Sequence, residues 1–416
     1  MAALLRAPCR KRQKRQEHDP ASFIPCAPNL RRRAVQVNGQ RDPNAVLCAR
    51  QESNLRPRAP EARALSPELR ARGDAQCSLL HVQVEAHVAT LELAQTFVIS
   101  RSARDSEDVV QVAVTSSGVR GYGEAAPIDR YNETPESALA YIEEHADALG
   151  DDPFALDEVM ERLPVREFAA RAAFDMALHD LQGKLVGRPV YQLLGVRRVG
   201  PPTTWTIWLG DPDEMARRAS DVDPRFRRLK LKLGAGDGLD VERVRAVRGV
   251  TQLPMQVDVN EGWSADEALA NLRELAQFDL QYCEQPIPAD AMLESDVLKR
   301  ESPIPVYVDE NCHTLADVAE CGRIAHGINV KLAKSGGIRE AVRMVHAARA
   351  LGLGTMLGCM VESGISIAAG ASISSLFDHI DLDGNILISH DPFPGVEFTD
   401  GVQMPAEAPG LGVAPA

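Results

Sequence analysis

Hydrophobic and polar positions change rhythm twice along this chain. From about Cys77 to Pro127 apolar residues alternate with polar ones or run in short β-branched stretches, as in LLHVQVEAHVATLELAQTFVIS and VVQVAVTSSGVRGYGEAAP. With Ser-Ser-Gly marking a turn between two of them, the pattern predicts a small antiparallel sheet. Helical spacing comes next in PESALAYIEEHADALG, PFALDEVMERL and EFAARAAFDMALHDLQGKLVG, the last stopped by a glycine. Sheet and helices together predict an α+β capping domain over 77–195.

Beyond Gly200 short apolar strands alternate with amphipathic helices. The strands read as TTWTIWLG, RLKLKLG, PMQVDVNEG, LQYCEQP, PVYVDEN, INVKLAKSGG, TMLGCMVESG and HIDLDG. Eight alternations over 196–385 predict an α/β fold, a (β/α)7–8 TIM-type barrel; no G-x-G-x-x-G follows a strand, which counts against an open doubly wound sheet. Residues 386–416 are expected to return to the cap.

Composition changes this picture little. A chain of 416 residues, 44% hydrophobic and 25% charged, can bury a large core. No apolar run is long enough for a transmembrane helix and no secretory signal is recognisable, so a cytoplasmic protein with no membrane partner is expected. The eight cysteines are scattered, and Cys283 and Cys359 fall in apolar runs, the setting of reduced buried thiols. Charge is divided unevenly. Met1 to Gln76 holds 16 Lys+Arg against 7 Asp+Glu, a balance of +9, so a net charge of −13 for the whole chain leaves −22 on the remainder. The acidic body is no nucleic-acid binder, and the basic stretch 1–76 lacks the apolar periodicity of a folded arm. Its segment ARQESNLRPRAPEARALSPELRA looks like the product of a transfer-RNA gene translated in an over-extended reading frame, which would put the natural start near Leu79 or Val82.

The stretch RLKLKLGAG raises the question of chemistry. Alternation puts Lys230 and Lys232 on one strand face and three leucines on the other, and on an exposed sheet the lysines would point to water. The charges on the later strands place them inside instead. Charged residues recur after the barrel strands at Lys232, Asp258, Glu284, Asp309 and Lys334, in steps of 26, 26, 25 and 25 residues, and then at Glu362, Asp381 and Asp383. One such residue reads as a solvated loop charge; five in register mark the C-terminal rim where barrel active sites are built. Asp258, Glu284 and Asp309 are hard oxygen donors on successive strands, pointing to Mg²⁺, with Mn²⁺ possible, rather than zinc. With Lys232 and Lys334 flanking them, the set suits abstraction of a proton α to a carboxylate, a metal-stabilised enolate, and return of the proton from the opposite face.

The motifs KLKLG, DVNEGW, EQP, VDE and KLAKSGG resemble the enolase superfamily, specifically its muconate-lactonising branch, and GYGEAAP and PGLG in the cap and tail look alike too. The resemblance covers nearly everything after residue 77. It implies that Lys232 and Lys334 are the acid/base pair and Asp258, Glu284 and Asp309 the magnesium ligands. Lys230 would be an auxiliary cation near the substrate carboxylate, and Asn260 and Glu310 would orient ligands or lysines. FDHIDLDGNILIS resembles the D-x-D motif of dipeptide epimerases, where the counterparts of Asp381 and Asp383 hold the substrate's free ammonium.

The resemblance thus implies a dipeptide epimerase with a small-molecule substrate and a possible homo-oligomeric state. The alternative on the same scaffold is an N-acylamino acid racemase or o-succinylbenzoate synthase. A pyridoxal-phosphate racemase or Schiff-base aldolase needs no such carboxylates, and a non-catalytic relative would be expected to have lost a rim residue. Specificity should come from the cap loop Ile128 to Glu133, where Arg130 could pair with an acidic second residue. Trp205 and Trp208 line the pocket or pack, and Glu362 has no assigned role.

Overall fold

The computed structural model describes residues 82–416. The expectations for 1–76, including the start near Leu79, lie outside the described residues.

Three strands, β1 (Gln83–Ile99), β2 (Ser102–Ser116) and β3 (Val119–Ala125), form an antiparallel meander. Its β2–β3 turn has Ser117 at φ 52° and Gly118 at φ 74°, the paired positive values that suit a two-residue hairpin. Pairing of β1 with β2 shifts register between Glu92 and Phe97. Beyond this irregularity the ribbon reaches the barrel mouth, where the Leu209 amide donates to the Val98 carbonyl at 3.0 Å.

The expected helices are α1 (Pro135–Glu144), α2 (Leu156–Arg162) and α3 (Phe168–Val186). Thr134 and Ser137 make a reciprocal capping box at the start of α1. The α3 helix is buried on most sides because the sheet covers one face and the barrel another. Gly121 and Gly123 of GYGEAAP make that contact possible: a Cβ on either would collide with the backbone at Ala173 or Ala177.

Eight parallel strands follow in sequential order: β4 (Trp205–Ile207), β5 (Leu229–Lys232), β6 (Met255–Asp258), β7 (Leu280–Glu284), β8 (Val306–Val308), β9 (Gly327–Lys331), β10 (Gly354–Gly358) and β11 (His379–Asp381). A parallel bridge from Thr203 to Ile380 joins the last strand to the first. The predicted barrel with its N-terminal capping domain is therefore the observed fold.

Alternation decides what fills the barrel. In β5 all four residues are buried, yet Leu229 and Leu231 join the apolar cluster with Val244, Val247 and Leu272, while the lysines occupy the other face. One interior level pairs Lys230 with Gln256; Tyr282 stacks on Tyr307 with centroids 4.4 Å apart and meets His379 at a tilt, 4.8 Å away. The level above it is the charged rim. Aromatic packing thus gives the rim a closed floor.

Buried polar contacts join cap to barrel. Asp175 of α3 accepts from the Ile338 amide at 2.5 Å, the start of a barrel helix, and Glu124 of β3 accepts from the Ser363 amide at 2.8 Å and from its hydroxyl. From the tail, the Leu411 amide donates to Asp180 at 2.7 Å. Cys283, Cys312, Cys321 and Cys359 are free thiols; Cys283 is buried as expected, and Cys359 is partly buried at the border of the central cavity. Among the described residues no helix is long and apolar enough to cross a membrane.

Candidate active site

A cavity of ≈ 410 Å³ opens between the C-terminal ends of the barrel strands and the cap. Its barrel wall includes Lys230, Lys232, Asn260, Asp309, Lys331, Asp381 and Asp383.

Register brings the first carboxylates together: Lys232 pairs across with Asp258, and Asp258 with Glu284. The Lys232 ammonium lies 2.7 Å from Asp258 Oδ2 and 3.0 Å from Asn260 Oδ1. Asn260 in turn donates its amide to Asp258 at 3.0 Å, from a backbone at φ 47°. Such a conformation in a non-glycine residue is held by its surroundings. Glu284 accepts from Asn329 at 2.6 Å; burial, reinforced by Asp258, pushes its carboxyl up to about 7.

Lys230 lies among three carboxylates, 3.0 Å from Asp258, 2.8 Å from Glu284 and 2.7 Å from Asp381. Burial alone would discharge its ammonium, but these anions outweigh that effect and hold its pKa well above the ordinary lysine value. Lysine ammoniums lie between the acids, Lys230 within 3.0 Å of Asp258 and 2.8 Å of Glu284 and Lys331 2.9 Å from Asp309, and among the described residues no cluster of three His, Cys, Asp or Glu is drawn together as a metal site.

At the far side of the rim the structure corrects one expectation. Strand β9 ends at Lys331, and Lys334 falls in the single turn of helix Leu332–Ser335 that follows. The Lys334 ammonium is directed to Asp309 Oδ1, the Asp309 carbonyl at 2.6 Å and the Asn329 carbonyl at 3.2 Å, and it does not border the cavity. Lys331 does, with its ammonium 2.9 Å from Asp309 Oδ2. Burial disfavours the Lys331 charge, yet Asp309 and Glu284 outweigh it and hold the pKa above the ordinary value. Sequence reasoning missed Lys331 because it counted motif spacing; the period-2 pairing of Asn329 with Lys331 on the inward face carried the signal.

Gln285 of the EQP motif, at φ 37°, accepts from the amides of Asp309 at 2.9 Å and Glu310 at 3.0 Å, so it fixes the loop after β8. Glu310 itself pairs with Arg101 of the cap at 2.8 Å, a residue that no motif in the sequence marks.

Opposite the carboxylates stand Asp381 and Asp383. Asp381 closes β11, whereas Asp383 lies beyond the strand, at the start of the turn Gly384–Leu387, so the two do not share a strand face. Both border the cavity. Asp381 accepts from the Thr204 hydroxyl and from Lys230, and Asp383 accepts from the Thr206 amide at 2.9 Å. Burial, with Asp381 nearby, pushes the Asp383 carboxyl up to about 7.

In the cap, Arg130 borders the cavity but directs Nε and Nη2 to the two oxygens of Glu261, both at 2.9 Å. Trp205 packs on Phe226 and Trp208 lies under the Arg218 guanidinium; neither borders the main cavity. Glu362 is buried outside the cavity, its carboxyl pushed up to about 8 by burial and by Glu124.

Comparison with known proteins matches this architecture piece by piece. Residues 82–195 match the mandelate racemase / muconate lactonizing enzyme N-terminal domain, and residues 214–416 the enolase C-terminal domain-like family. An L-Ala-D/L-Glu epimerase of Bacteroides thetaiotaomicron is 38% identical over 328 residues, 78% of this chain and 85% of that protein. A hydrophobic dipeptide epimerase of Roseobacter litoralis is 37% identical over 341 residues, 80% of this chain and 98% of that protein. A dipeptide epimerase of Enterococcus faecalis, solved with Mg and L-Leu-L-Tyr, has a TM-score of 0.76 at 30% identity and covers 80% of this chain and 99% of that one. Cap and barrel thus each have their counterpart, and the chain belongs to the mandelate racemase/muconate lactonizing enzyme family and is an isomerase of the racemase and epimerase kind.

Proposed function

We propose that this enzyme inverts the α-carbon of the C-terminal residue of a dipeptide by proton transfer between Lys232 and Lys331. One relationship carries the reading. Strands β5 and β9, which bear the two lysines, are four apart in a ring of eight, so the ammoniums face each other across the mouth. The three strands between them on one side carry or lead into Asp258, Glu284 and Asp309; on the other side stand Asp381 and Asp383. A planar enolate held between two opposed lysines can lose a proton from one face and regain it on the other.

The donor set of Asp258, Glu284 and Asp309 is all carboxylate oxygen, buried, and drawn from consecutive strands, which fits Mg²⁺ or Mn²⁺. When bound, that ion would supply positive charge to the substrate carboxylate and to the enolate. Lys232 in its neutral form takes the α-proton and protonated Lys331 returns one, the roles reversing for the opposite epimer. Gln285 keeps the Asp309 backbone in place throughout. Asp383 supports a free ammonium on the substrate: a buried carboxylate whose pKa is raised to about 7 gains more from a cation than from the neutral end of an N-acylated amino acid.

The test is proton NMR in D₂O with Mg²⁺, a dipeptide set and an N-succinylamino acid set. Inversion with α-deuteration of dipeptides, the inversion being lost in Lys232→Ala and in Lys331→Ala, supports the reading. Turnover confined to N-succinylamino acids would replace it with the racemase alternative.

A further inference from the structure

The dipeptide reading leaves open which side chain the enzyme accepts, and the cap wall speaks to this. Once the rim groups have engaged the substrate's carboxylate, α-carbon and ammonium, the rest of the cavity belongs to the cap and the segments after β10 and β11. That wall is apolar at Phe97, Ile99, Val109, Ile128, Val361 and Leu387.

It also carries three arginines, which at first sight suit an acidic side chain. Each is already matched to a carboxylate of the chain. Arg130 forms a two-point pair with Glu261, both bonds at 2.9 Å; Arg101 reaches Glu310 at 2.8 Å and the Asn260 carbonyl at 3.1 Å; Arg104 reaches Glu107 at 2.6 Å. The Glu261 carboxylate is held further by the Ala289 amide at 2.9 Å, so it is not free to yield Arg130. Glu107, Asp108 and Asp129 border the same wall, and Asp108 is engaged by Thr90 at 2.6 Å. An acidic side chain entering here would have to displace a tethered carboxylate and leave it uncompensated in a half-buried site. An apolar side chain meets no such opposition and gains by leaving water.

Resting on the dipeptide reading, we infer that the cap wall selects a dipeptide with an uncharged, apolar side chain, and that Glu107, Glu261 and Glu310 exclude acidic ones by occupying the arginines. The intramolecular pairs are thus specificity determinants in their own right.

The experiment measures kcat/KM for L-Ala-L-Leu, L-Ala-L-Glu and L-Ala-L-Lys, and for the matching N-succinyl Leu, Glu and Lys, with the wild-type enzyme and Glu107→Gln. The expected result is a preference for Leu of tenfold or more over Glu and over Lys, and a shift of at least tenfold toward Glu in Glu107→Gln, since that substitution removes the nearer carboxylate partner of Arg104 and leaves it only the exposed Asp129 at 3.6 Å. A wild-type preference for Glu or Lys overturns the inference, as does a Glu107→Gln enzyme with an unchanged Leu-to-Glu ratio. The same apolar preference in the N-succinyl series alone would uphold the wall's selectivity while overturning the dipeptide reading; no turnover in either series overturns both.

Discussion

Lys331 and Lys334 divide the carboxylate of Asp309 between them, Lys331 at 2.9 Å from Oδ2 and Lys334 on Oδ1. The two are three residues apart, one at the end of β9 and one in the turn that follows, and have different surroundings. Lys331 faces the cavity; Lys334 closes its remaining valences on two backbone carbonyls. Their replacements should therefore fail in different ways. Lys331→Ala is expected to lose inversion by about 10²–10⁴-fold while Lys232 still exchanges the α-proton of one epimer with solvent. Lys334→Met should instead lower stability by about 2–4 kcal/mol, since it strands a buried carboxylate oxygen and two carbonyls. Urea titration and single-epimer deuterium exchange together check both outcomes, and one-epimer exchange surviving in Lys334→Met but not in Lys331→Ala would reverse the assignment.

How far the sequence foretells this site depends on whether local pattern or tertiary geometry sets the feature. Strand alternation places Lys230 and Lys232 inward, and the strand-helix period puts Asp258, Glu284 and Asp309 on one rim, because both come from backbone repeats. The period cannot separate Lys331 from Lys334, since the strand ends three residues earlier than the motif suggests. Alternation alone would keep Asp383 on the strand face of Asp381, yet the chain turns after Asp381. The engagement of Arg130 by Glu261 is invisible in the sequence for a plainer reason: 131 residues separate the two, and only the closing of cap onto barrel brings them together.

Asp383 should govern substrate binding near neutrality. Its carboxyl is pushed up to about 7, so in the free enzyme it protonates as pH falls through that value and its attraction for an ammonium disappears. At saturating Mg²⁺, kcat/KM for a dipeptide is expected to fall about tenfold per pH unit below 7. In Asp383→Asn that limb should flatten at a level set by a KM raised about 10²-fold, the effect of losing a charged partner worth roughly 3 kcal/mol. A limb unchanged in Asp383→Asn would assign the titration elsewhere.

Removing divalent metal should abolish α-proton exchange, with recovery on adding Mg²⁺ or Mn²⁺. The same ions should raise the melting temperature of the wild-type protein, by an amount equivalent to about 2.7 kcal/mol at a hundred times Kd. In Asp258→Asn the thermal shift should shrink together with activity, because the substitution removes one of the three hard donors. A full thermal shift in Asp258→Asn, Glu284→Gln and Asp309→Asn alike would place the ion at another site.

Glu124 makes cap-to-barrel stability depend on pH in a direction opposite to that of a salt-bridged acid. It is fully buried and accepts from Ser363, and burial raises its carboxyl from the ordinary 4.5 to about 7. Between those values the unfolded chain has released this proton and the folded protein has kept it, so stability falls as pH rises. The contribution is fully present below about 4.5 and gone above about 7, a span of about 3 kcal/mol at 1.36 kcal/mol per unit. Glu362 beside it, raised to about 8, adds in the same sense. Glu124→Gln carries no titrating proton. The stability difference between wild type and Glu124→Gln should therefore move by about 2.5 kcal/mol in favour of the variant from pH 5 to pH 8. Urea unfolding at the two pH values measures it, and a difference that stays constant, or moves toward the wild type, would show that the carboxyl is ionised in the folded protein throughout.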